Sequence, residues 1–480
     1  MQRPNVWLIM TDQQRWDTLG CYGNETIETA NLDYIAANGT VFENGYSCTP
    51  SCIPARASLL TGQDPWNVGI LGMGAGQSPA QLLENTLPGA LAGAGYHTQC
   101  VGKMHVHPQR SLQGFHNTIL DESSREVDPH FESDYMKWFK ANRPAEVDRT
   151  DHGIGWNSWM ARPWHLPEYL HPTAWTAAES IRFLERRDPT KPFFLKTSFA
   201  RPHSPYDPPQ YYFDLYDRKA MPEAVVGDWA AMHDVPVEAT NPDAWHGRRR
   251  PEEVRRGRVG YYGNINFIDH QIGVVRAHLA RRRWLDNTII LFISDHGDML
   301  GDHHLWRKTY AYEGSAHIPF LVSLPEQRHE KRGSRSDAPV CLQDIMPTIL
   351  DACGVEIPET VDGKSVLPLM RGEETKWREF VHGEHSTCYA AENEMQYLTD
   401  GKWKYIWFPR ADKEQLFHLQ ADPYELTDLA AQPQYQNELQ RWRERLINEL
   451  APRDAGLVEN GQLVSQRDKP QLVSPHYRGR

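Results

Sequence analysis

Short apolar runs that alternate with longer helical patterns constrain the fold of this chain more than any other feature of its sequence. The runs are continuously apolar, which is typical of parallel strands that are buried on both faces of a sheet. They cover residues 6–10, 97–101, 192–199, 288–294 and 319–324. Helical patterns lie between them, near residues 55–61, 82–94, 173–187, 252–283 and 343–353. The alternation predicts a doubly wound α/β fold with a large, mostly parallel sheet sandwiched by helices.

The pattern changes near residues 371–377, where a second unit is predicted to begin. Turn and periodicity signals indicate, in order, a hairpin over 395–408 that turns at Asp400 and Gly401, a strand over 414–419 and a helix over 433–450. We therefore predict three parts: an α/β domain over 1–376, a smaller antiparallel sheet with one helix over 377–455, and a tail over 456–480. The tail is polar, and we expect it to wrap a surface of its own chain or a neighbouring subunit of a homo-oligomer.

Charge and hydropathy exclude several classes of function. The 480 residues include 51 Lys and Arg against 63 Asp and Glu, a net charge of −12, whereas nucleic-acid binding depends on Lys and Arg. The apolar stretches are far shorter than the ~20 residues that span a bilayer, and residues 6–10 are too few for a signal-peptide core. We expect no nucleic-acid or membrane partner, and a cytoplasmic location as the sequence stands. A periplasmic or secreted location is the alternative if a leader has been removed.

Reactive side chains follow directly after the predicted strands. Because ligands bind outside the carboxyl ends of strands in an open parallel sheet, these side chains are expected to share one site. Two carboxylates in one site repel each other unless a cation lies between them, and oxygen ligands with an imidazole suit Ca²⁺, Mg²⁺ or Mn²⁺. The residues that follow the strands are Asp12, Gln13, Lys103, His105, His203, Asp295 and His296.

Cys52 lies in the segment SCIPARASLLTG, residues 51–62. Pro54 suits the first turn of a helix, so Cys52 is predicted at a helix N-terminus, where free N–H groups attract anions. Arg56, four residues on, adds positive charge there. The chemistry of the residues alone leaves two interpretations open, a buried free cysteine or a thiolate nucleophile.

The residues CIPARASLLTG at 52–62 resemble the signature of the sulfatases of the alkaline phosphatase superfamily, in which a cysteine is oxidised to formylglycine. Four further segments resemble family motifs and occur in the family's order, namely GKMH at 102–105, PHSP at 202–205, SDHGD at 294–298 and LWRK at 305–308. The resemblance extends from residue 4 to about residue 430. It implies an alkaline phosphatase-like fold, with a large mixed, mostly parallel sheet and a smaller C-terminal antiparallel sheet.

The resemblance also implies a function, a sulfatase that hydrolyses a carbohydrate or aryl sulfate monoester to sulfate and an alcohol. Cys52, converted by a formylglycine-generating enzyme and hydrated to a gem-diol, would be the nucleophile. One divalent metal is implied, with Ca²⁺ favoured over Mn²⁺ and Mg²⁺. Its implied ligands are Asp12, Gln13, Asp295, His296 and residue 52. The implied catalytic residues besides Cys52 are Arg56, Lys103 and Lys308 for charge, His203 as the acid for the leaving alcohol and His105 as the later base.

Three positions depart from the usual family pattern. Ala55 stands where the signature usually has Ser, Gln13 where a second Asp is usual, and His296 where Asn is common. Gln13 and His296 are more similar to the branch that holds phosphonate monoester hydrolases and choline sulfatases, and they make Mn²⁺ a competitor of Ca²⁺. A phosphonate monoester hydrolase or phosphodiesterase with the same machinery is therefore the alternative function. A metal-bound sulfate-binding protein without turnover is a third hypothesis, which requires Cys52 to stay unmodified.

Four residues are candidates for binding the rest of the substrate. Trp164 and His165 belong to a long aperiodic excursion over residues 108–172, and aromatic side chains suit sugar and aryl groups as well as a core. Glu384 and His385 lie in VHGEHS, residues 381–386, and either contact the substrate or bridge the two domains.

Overall fold

The helices and strands follow the predicted alternation. The computed structural model describes residues 3–73, 83–123, 125, 128, 130–236, 241–328, 331–373, 375–465 and 471–478. Its strands are β1 Asn5–Asp12, β2 Thr40–Phe42, β3 Gly45–Tyr46, β4 His97–Gly102, β5 Asn117–Leu120, β6 Phe193–Pro202, β7 Thr288–Ser294, β8 Phe320–Ser323, β9 Ser334–Ser336, β10 Val340–Cys341, β11 Val381–His385, β12 Met395–Thr399, β13 Lys404–Phe408, β14 Lys413–Phe417, β15 Val458–Glu459 and β16 Gln462–Leu463. Its α-helices are α1 Ala30–Ala37, α2 Cys52–Thr61, α3 Pro65–Val68, α4 Leu87–Gly93, α5 Asp134–Asn142, α6 Pro172–Arg186, α7 Gln210–Asp217, α8 Pro251–Arg281, α9 Glu313–Ala316, α10 Ile345–Cys353, α11 Leu367–Arg371 and α12 Gln436–Leu450.

An eight-stranded sheet forms the main domain, in the order β5-β4-β6-β1-β7-β8-β2-β9. Strand β1 lies in the middle and pairs in parallel with β6 and β7. Strand β8 runs antiparallel to both of its neighbours, which makes the sheet mixed. The predicted large mixed, mostly parallel sheet is therefore confirmed.

The two faces of the sheet carry separate cores. Because side chains alternate along a strand, β1 sends Val6, Leu8 and Met10 to one face and Trp7 and Ile9 to the other. Apolar residues of α2, α4, α10 and α11 cover the first face, and those of α1, α6 and α8 cover the second. Burial on both faces explains why the strands are continuously apolar in sequence.

A four-stranded antiparallel sheet, β11-β12-β13-β14, follows the main domain. The hairpin of β12 and β13 turns at Asp400 and Gly401, as predicted, and Gly401 takes the left-handed backbone conformation that the turn requires, with φ 82°. Helix α12 buries Leu439, Trp442 and Leu446 against this sheet. Their spacing of three and four residues places them on one helix face.

The C-terminal residues 471–478 lie against the main domain of their own chain. Leu71 N donates a hydrogen bond of 3.2 Å to Leu472 O, and Ser474 Oγ donates one of 2.6 Å to Trp66 O. Contact of the tail with a neighbouring subunit stays a prediction. No helix of the described residues is long and apolar enough to cross a membrane.

Candidate active site

Four buried side chains meet at the carboxyl ends of the central strands. They belong to Asp12, Cys52, Asp295 and His296, and one ligand atom from each lies within 4.8 Å of all the others. Cys52 Sγ is 3.2 Å from His296 Nε2 and 3.4 Å from Asp12 Oδ1. Two carboxylate groups, a sulfur and an imidazole nitrogen therefore converge on one point.

Strand register explains why Asp12 and Asp295 meet. In the parallel pair of β1 and β7, Thr11 is opposite Ser294, so the next residue of each strand emerges at the same edge. Gln13 then turns back with φ 71°, and its backbone N–H donates to Asp295 Oδ1 at 3.0 Å. Cys52 joins them because it is the first residue of α2, as predicted for a helix N-terminus.

The donor set fits a hard or borderline divalent cation. His296 Nδ1 lies 2.9 Å from the backbone O of Gly297, a contact in which Nδ1–H donates and Nε2 is left to face the carboxylates of Asp12 and Asp295. This is the arrangement of a metal-binding histidine. Gln13 Oε1 is 3.0 Å from Lys308 Nζ, so Gln13 adjoins the four-residue group and is held by the lysine.

Three buried cations surround the group. Lys103 Nζ forms an ion pair with Asp12 Oδ2, and Arg56 Nε forms one with Asp295 Oδ2 at 2.8 Å. Lys308 Nζ is 3.2 Å from Cys52 Sγ and, within the described residues, has no carboxylate at ion-pair distance. The positive charges predicted from the sequence thus surround residue 52.

These charges change the acidity of the side chains they surround. Burial and the Asp12 carboxylate would raise the pKa of the Cys52 thiol, but Lys103 and Lys308 outweigh them and lower the pKa to about 7. Burial alone would likewise raise the pKa of Asp12, yet Lys103, His203 and Lys308 hold it well below its usual value. The site therefore favours negative charge at residues 12 and 52.

The two predicted proton-transfer histidines are buried near this group. His203 Nδ1 contacts the backbone O of Ser204 at 2.9 Å, and its Nε2 has no hydrogen-bond partner among the described residues. His105 receives its position from Glu122, which accepts a hydrogen bond of 3.0 Å from the His105 backbone N–H. Burial, with Lys308 for His203 and Arg125 for His105, lowers the pKa of each ring well below its usual value.

The four predicted substrate-binding residues differ in where they lie. His385 is close to the group, because its Nε2 is 2.7 Å from the Oγ of Ser51. The Glu384 carboxylate pairs with Arg453 at 2.8 Å. Trp164 is buried in an aromatic cluster with Tyr135 and Trp175, and His165 is exposed. The described contacts of Glu384, Trp164 and His165 do not join them to Cys52, and their role in substrate binding stays a prediction.

Asp298, the last residue of the SDHGD motif, accepts from Gln13 Nε2 at 2.5 Å and from the Tyr206 hydroxyl at 2.6 Å. Sequence analysis overlooked two other residues that position the site. Glu122 follows β5, a strand of only four residues that was not predicted, so the rule of strand ends was not applied there. Arg125 contacts His105 Nδ1 at 3.2 Å, and no motif in the sequence distinguishes it.

The loop that carries Lys308 is anchored by Asp302. Its carboxylate accepts from Arg15 Nη1 and from Arg258 Nη2, each at 2.6 Å. Burial alone would raise the pKa of Asp302, but the two guanidinium groups lower it to about 2. The carboxylate is more acidic in the folded than in the unfolded chain. Its contribution to the stability of the fold is therefore complete above the pKa of the residue in the unfolded chain and is lost as the pH falls towards 2.

We expect the Asp302→Ala variant to be less sensitive to acid than the wild type. Between pH 5 and pH 3 the wild type should lose about 1 kcal/mol more of its free energy of unfolding than the variant does. Urea unfolding of both proteins across this range measures the difference. If the free energy of unfolding changed with pH in the same way in both proteins, the ion pairs with Arg15 and Arg258 would not be what keeps the carboxylate ionised.

Comparison with known proteins assigns the chain to a family. The family model described as sulfatase matches residues 4–355, and the model described as the C-terminal part of N-sulphoglucosamine sulphohydrolase matches residues 301–451. The chain belongs to the sulfatase family. The resemblance inferred from the five motifs is therefore confirmed, and with it the prediction that this sulfatase is a sulfuric ester hydrolase.

Relatives and solved structures match this sulfatase over nearly its whole length. An arylsulfatase of Clostridium perfringens (strain 13 / Type A) is 44% identical, over 96% of this chain and 97% of the relative. A choline-sulfatase of Rhizobium meliloti (strain 1021) is 31% identical, over 90% of this chain and 83% of the relative. The crystal structure of a phosphonate monoester hydrolase of Agrobacterium radiobacter has a TM-score of 0.77 at 25% identity, over 97% of this chain and all of that one.

Family membership implies a metal and a formylglycine in general terms. The buried group of Asp12, Cys52, Asp295 and His296 could bind a metal ion, and the full ligand set with Gln13 stays a prediction.

Proposed function

We propose that this sulfatase hydrolyses a carbohydrate or aryl sulfate monoester, with residue 52 as formylglycine and one divalent metal, Ca²⁺, as its cofactor. The proposed ligands are Asp12, Gln13, Asp295, His296 and residue 52. The observation that carries the proposal is the position of Cys52 Sγ at a helix N-terminus, in contact with Asp12, His296 and Lys308. A formylglycine-generating enzyme is the proposed partner in maturation.

The cations of the site would hold the anionic ester in place. A sulfate monoester carries one negative charge spread over its free oxygens, and the Nζ atoms of Lys103 and Lys308 lie 3.8 Å and 3.2 Å from Cys52 Sγ. A metal bound to the carboxylates would polarise the nucleophile and offset the charge that develops during transfer. Hydrated formylglycine at residue 52 would provide one hydroxyl to attack sulfur and a second whose deprotonation expels sulfate. No water molecule then has to attack sulfur.

His203 and His105 are proposed to move the protons. His203 Nε2 is buried and unpartnered among the described residues, so it can donate to the leaving alcohol. Lysine charge and burial keep this ring neutral in the empty site, whereas a bound sulfate brings negative charge that favours protonation. His105 is proposed to accept the proton of the second hydroxyl at Nδ1, the nitrogen that accepts from Arg125 in this structure and carries no hydrogen, and burial with Arg125 and Lys103 keeps its ring neutral.

Phosphonate monoester hydrolysis is the second candidate function. The neutral Gln13 beside the carboxylates and the imidazole of His296 support it, as does the likeness to the Agrobacterium radiobacter enzyme. The similarity to the Clostridium perfringens arylsulfatase supports the sulfate ester more strongly.

A side-by-side rate comparison tests which ester this enzyme prefers. We expect metal-replete enzyme from its native source to hydrolyse an aryl sulfate with a kcat/KM at least about tenfold higher than the matching aryl phosphonate monoester. The same alcohol in both substrates keeps the leaving group constant. A preference for the phosphonate would contradict the proposal and support the second candidate.

A further inference from the structure

Two arginines beside the proposed reaction centre have no carboxylate at ion-pair distance among the described residues. We call Arg125 and Arg307 the outer arginines. Arg125 Nη1 contacts His105 Nδ1 at 3.2 Å, and the Arg307 guanidinium donates to the backbone carbonyl of Asp243. By contrast, Lys103 and Arg56 at residue 52 are each paired with a carboxylate. No ion pair within the described residues therefore offsets the positive charge of the outer arginines.

An aromatic ring holds each outer arginine. The Arg125 guanidinium lies 4.8 Å from the centre of the Trp156 ring, and that of Arg307 lies 4.7 Å from the centre of the Tyr389 ring. Trp156 in turn stacks on His203, with ring centres 5.8 Å apart and planes within 8°. A ring attracts a guanidinium without neutralising it, so the N–H donors stay available to a ligand.

Both outer arginines lie close to residues of the proposed reaction centre. Arg307 directly precedes Lys308, whose Nζ is 3.2 Å from Cys52 Sγ, and the Arg307 backbone N–H donates to Asp298 Oδ1 at 2.8 Å. Arg125 also touches His105, and Trp156 touches His203, which are the two proposed proton-transfer residues. The outer arginines thus lie beside the place where the alcohol part of the ester would be bound.

Charge accounting then indicates what that alcohol carries. A sulfate monoester brings one negative charge, which the proposed metal together with Lys103 and Lys308 beside residue 52 would offset without the outer arginines. We infer that the alcohol part of the substrate bears a second anionic group, a sulfate or a carboxylate, and that Arg125 and Arg307 bind it. This inference rests on the proposed function, and Trp156 and Tyr389 would flank a sugar or aryl ring between the two anions. Arginine suits both groups, because its planar donors match two oxygens of a sulfate or a carboxylate.

Binding to the Cys52→Ala variant tests the inference without depending on turnover. Calorimetry with metal-replete protein would compare two matched pairs: N-acetylglucosamine 6-O-sulfate against D-glucosamine 2-N,6-O-disulfate, and phenyl sulfate against 4-carboxyphenyl sulfate. In at least one pair the dianionic member should bind about tenfold more tightly or better, the order of one charge-assisted hydrogen bond. The first pair reports a second sulfate and the second pair a carboxylate.

Second-site variants assign the effect to the outer arginines. In the Cys52→Ala background, Arg125→Gln and Arg307→Gln should each reduce the ratio of affinities within the preferred pair by about tenfold, and Arg125→Lys should restore part of it. Arg276→Gln is the matched control, because Arg276 also lies on a ring, 4.2 Å from the centre of Tyr34, in the contact between α8 and α1. It should leave the ratio unchanged.

The inference would be overturned if both members of each pair bound equally, if neither bound measurably, or if the glutamine variants weakened both members to the same extent. Failure of the proposed function has a separate signature, because the wild-type enzyme would then hydrolyse none of these esters whatever their affinity.

Discussion

Replacement of Cys52 by alanine should reduce kcat/KM for an aryl sulfate by at least about 10⁴-fold, the scale on which loss of a nucleophile acts. The fold should survive, because alanine suits the first turn of α2 and Cys52 makes no disulfide. Steady-state rates and thermal unfolding measure the two effects, with enzyme whose residue 52 has been confirmed as formylglycine by the mass of its peptide. The expected modification replaces the sulfur by oxygen and removes two hydrogens, so the peptide mass distinguishes formylglycine from serine.

The matched control for this variant is Cys353→Ala. Cys353 is also a buried thiol, but it is the last residue of α10 and packs in the core on the first face of the sheet. This variant should lose some stability and keep its turnover. Full activity in Cys52→Ala would contradict the assignment of the nucleophile, and an intact thiol in native enzyme would favour a binding protein without turnover.

Replacement of Asp295 by alanine should abolish metal binding and turnover together. The variant loses a carboxylate of the proposed metal site and leaves the buried Arg56 guanidinium without its ion pair. Breaking a buried pair in this way costs about 3–5 kcal/mol of the free energy of unfolding. Elemental analysis should find about one divalent ion per chain in the wild type and none in the variant. The ion is lost because the site has few charged ligands and the variant lacks one of them.

Asp302→Ala separates the metal effect from the loss of a buried ion pair. Asp302 is also a buried aspartate between arginines, yet it is outside the four-residue group. Its variant should be destabilised to a similar degree and still bind the ion. Unchanged metal content in Asp295→Ala would remove Asp295 from the ligand set. Removing the ion from the wild type with a chelator should lower its thermal stability, whereas the Asp295→Ala variant should not respond.

The fold and the centre of the site were largely predictable because both depend on local patterns. Continuous apolar runs indicate buried parallel strands, and the strand-end rule alone brought Asp12 and Asp295 together. The direction of β8 was not predictable, since a short apolar strand carries the same pattern in either orientation. An aromatic residue in a core and one in a binding site also look alike in sequence, which is why Trp164 was a candidate although its ring packs beside Trp175.

Long-range partners were also not predictable from the sequence. The carboxylate of Glu384 pairs with Arg453, and neither residue lies in a motif that relates it to the other. Arg125 and Trp156 likewise gain their positions from tertiary contacts with His105 and His203. Such pairs depend on the path that loops take over the edge of the sheet. A single sequence contains no periodic signal that predicts this path.

The central place of β1 has a consequence for the newly made chain. Its neighbours β6 and β7 lie about 190 and 280 residues further along, so the sheet cannot close around the first strand until most of the protein has left the ribosome. Cys52 is wholly buried once His296 and Lys308 pack against it. At roughly 5–20 residues per second, synthesis up to His296 leaves this thiol reachable for on the order of 10–50 seconds. An enzyme that oxidises Cys52 therefore has to act on the growing chain or delay its folding.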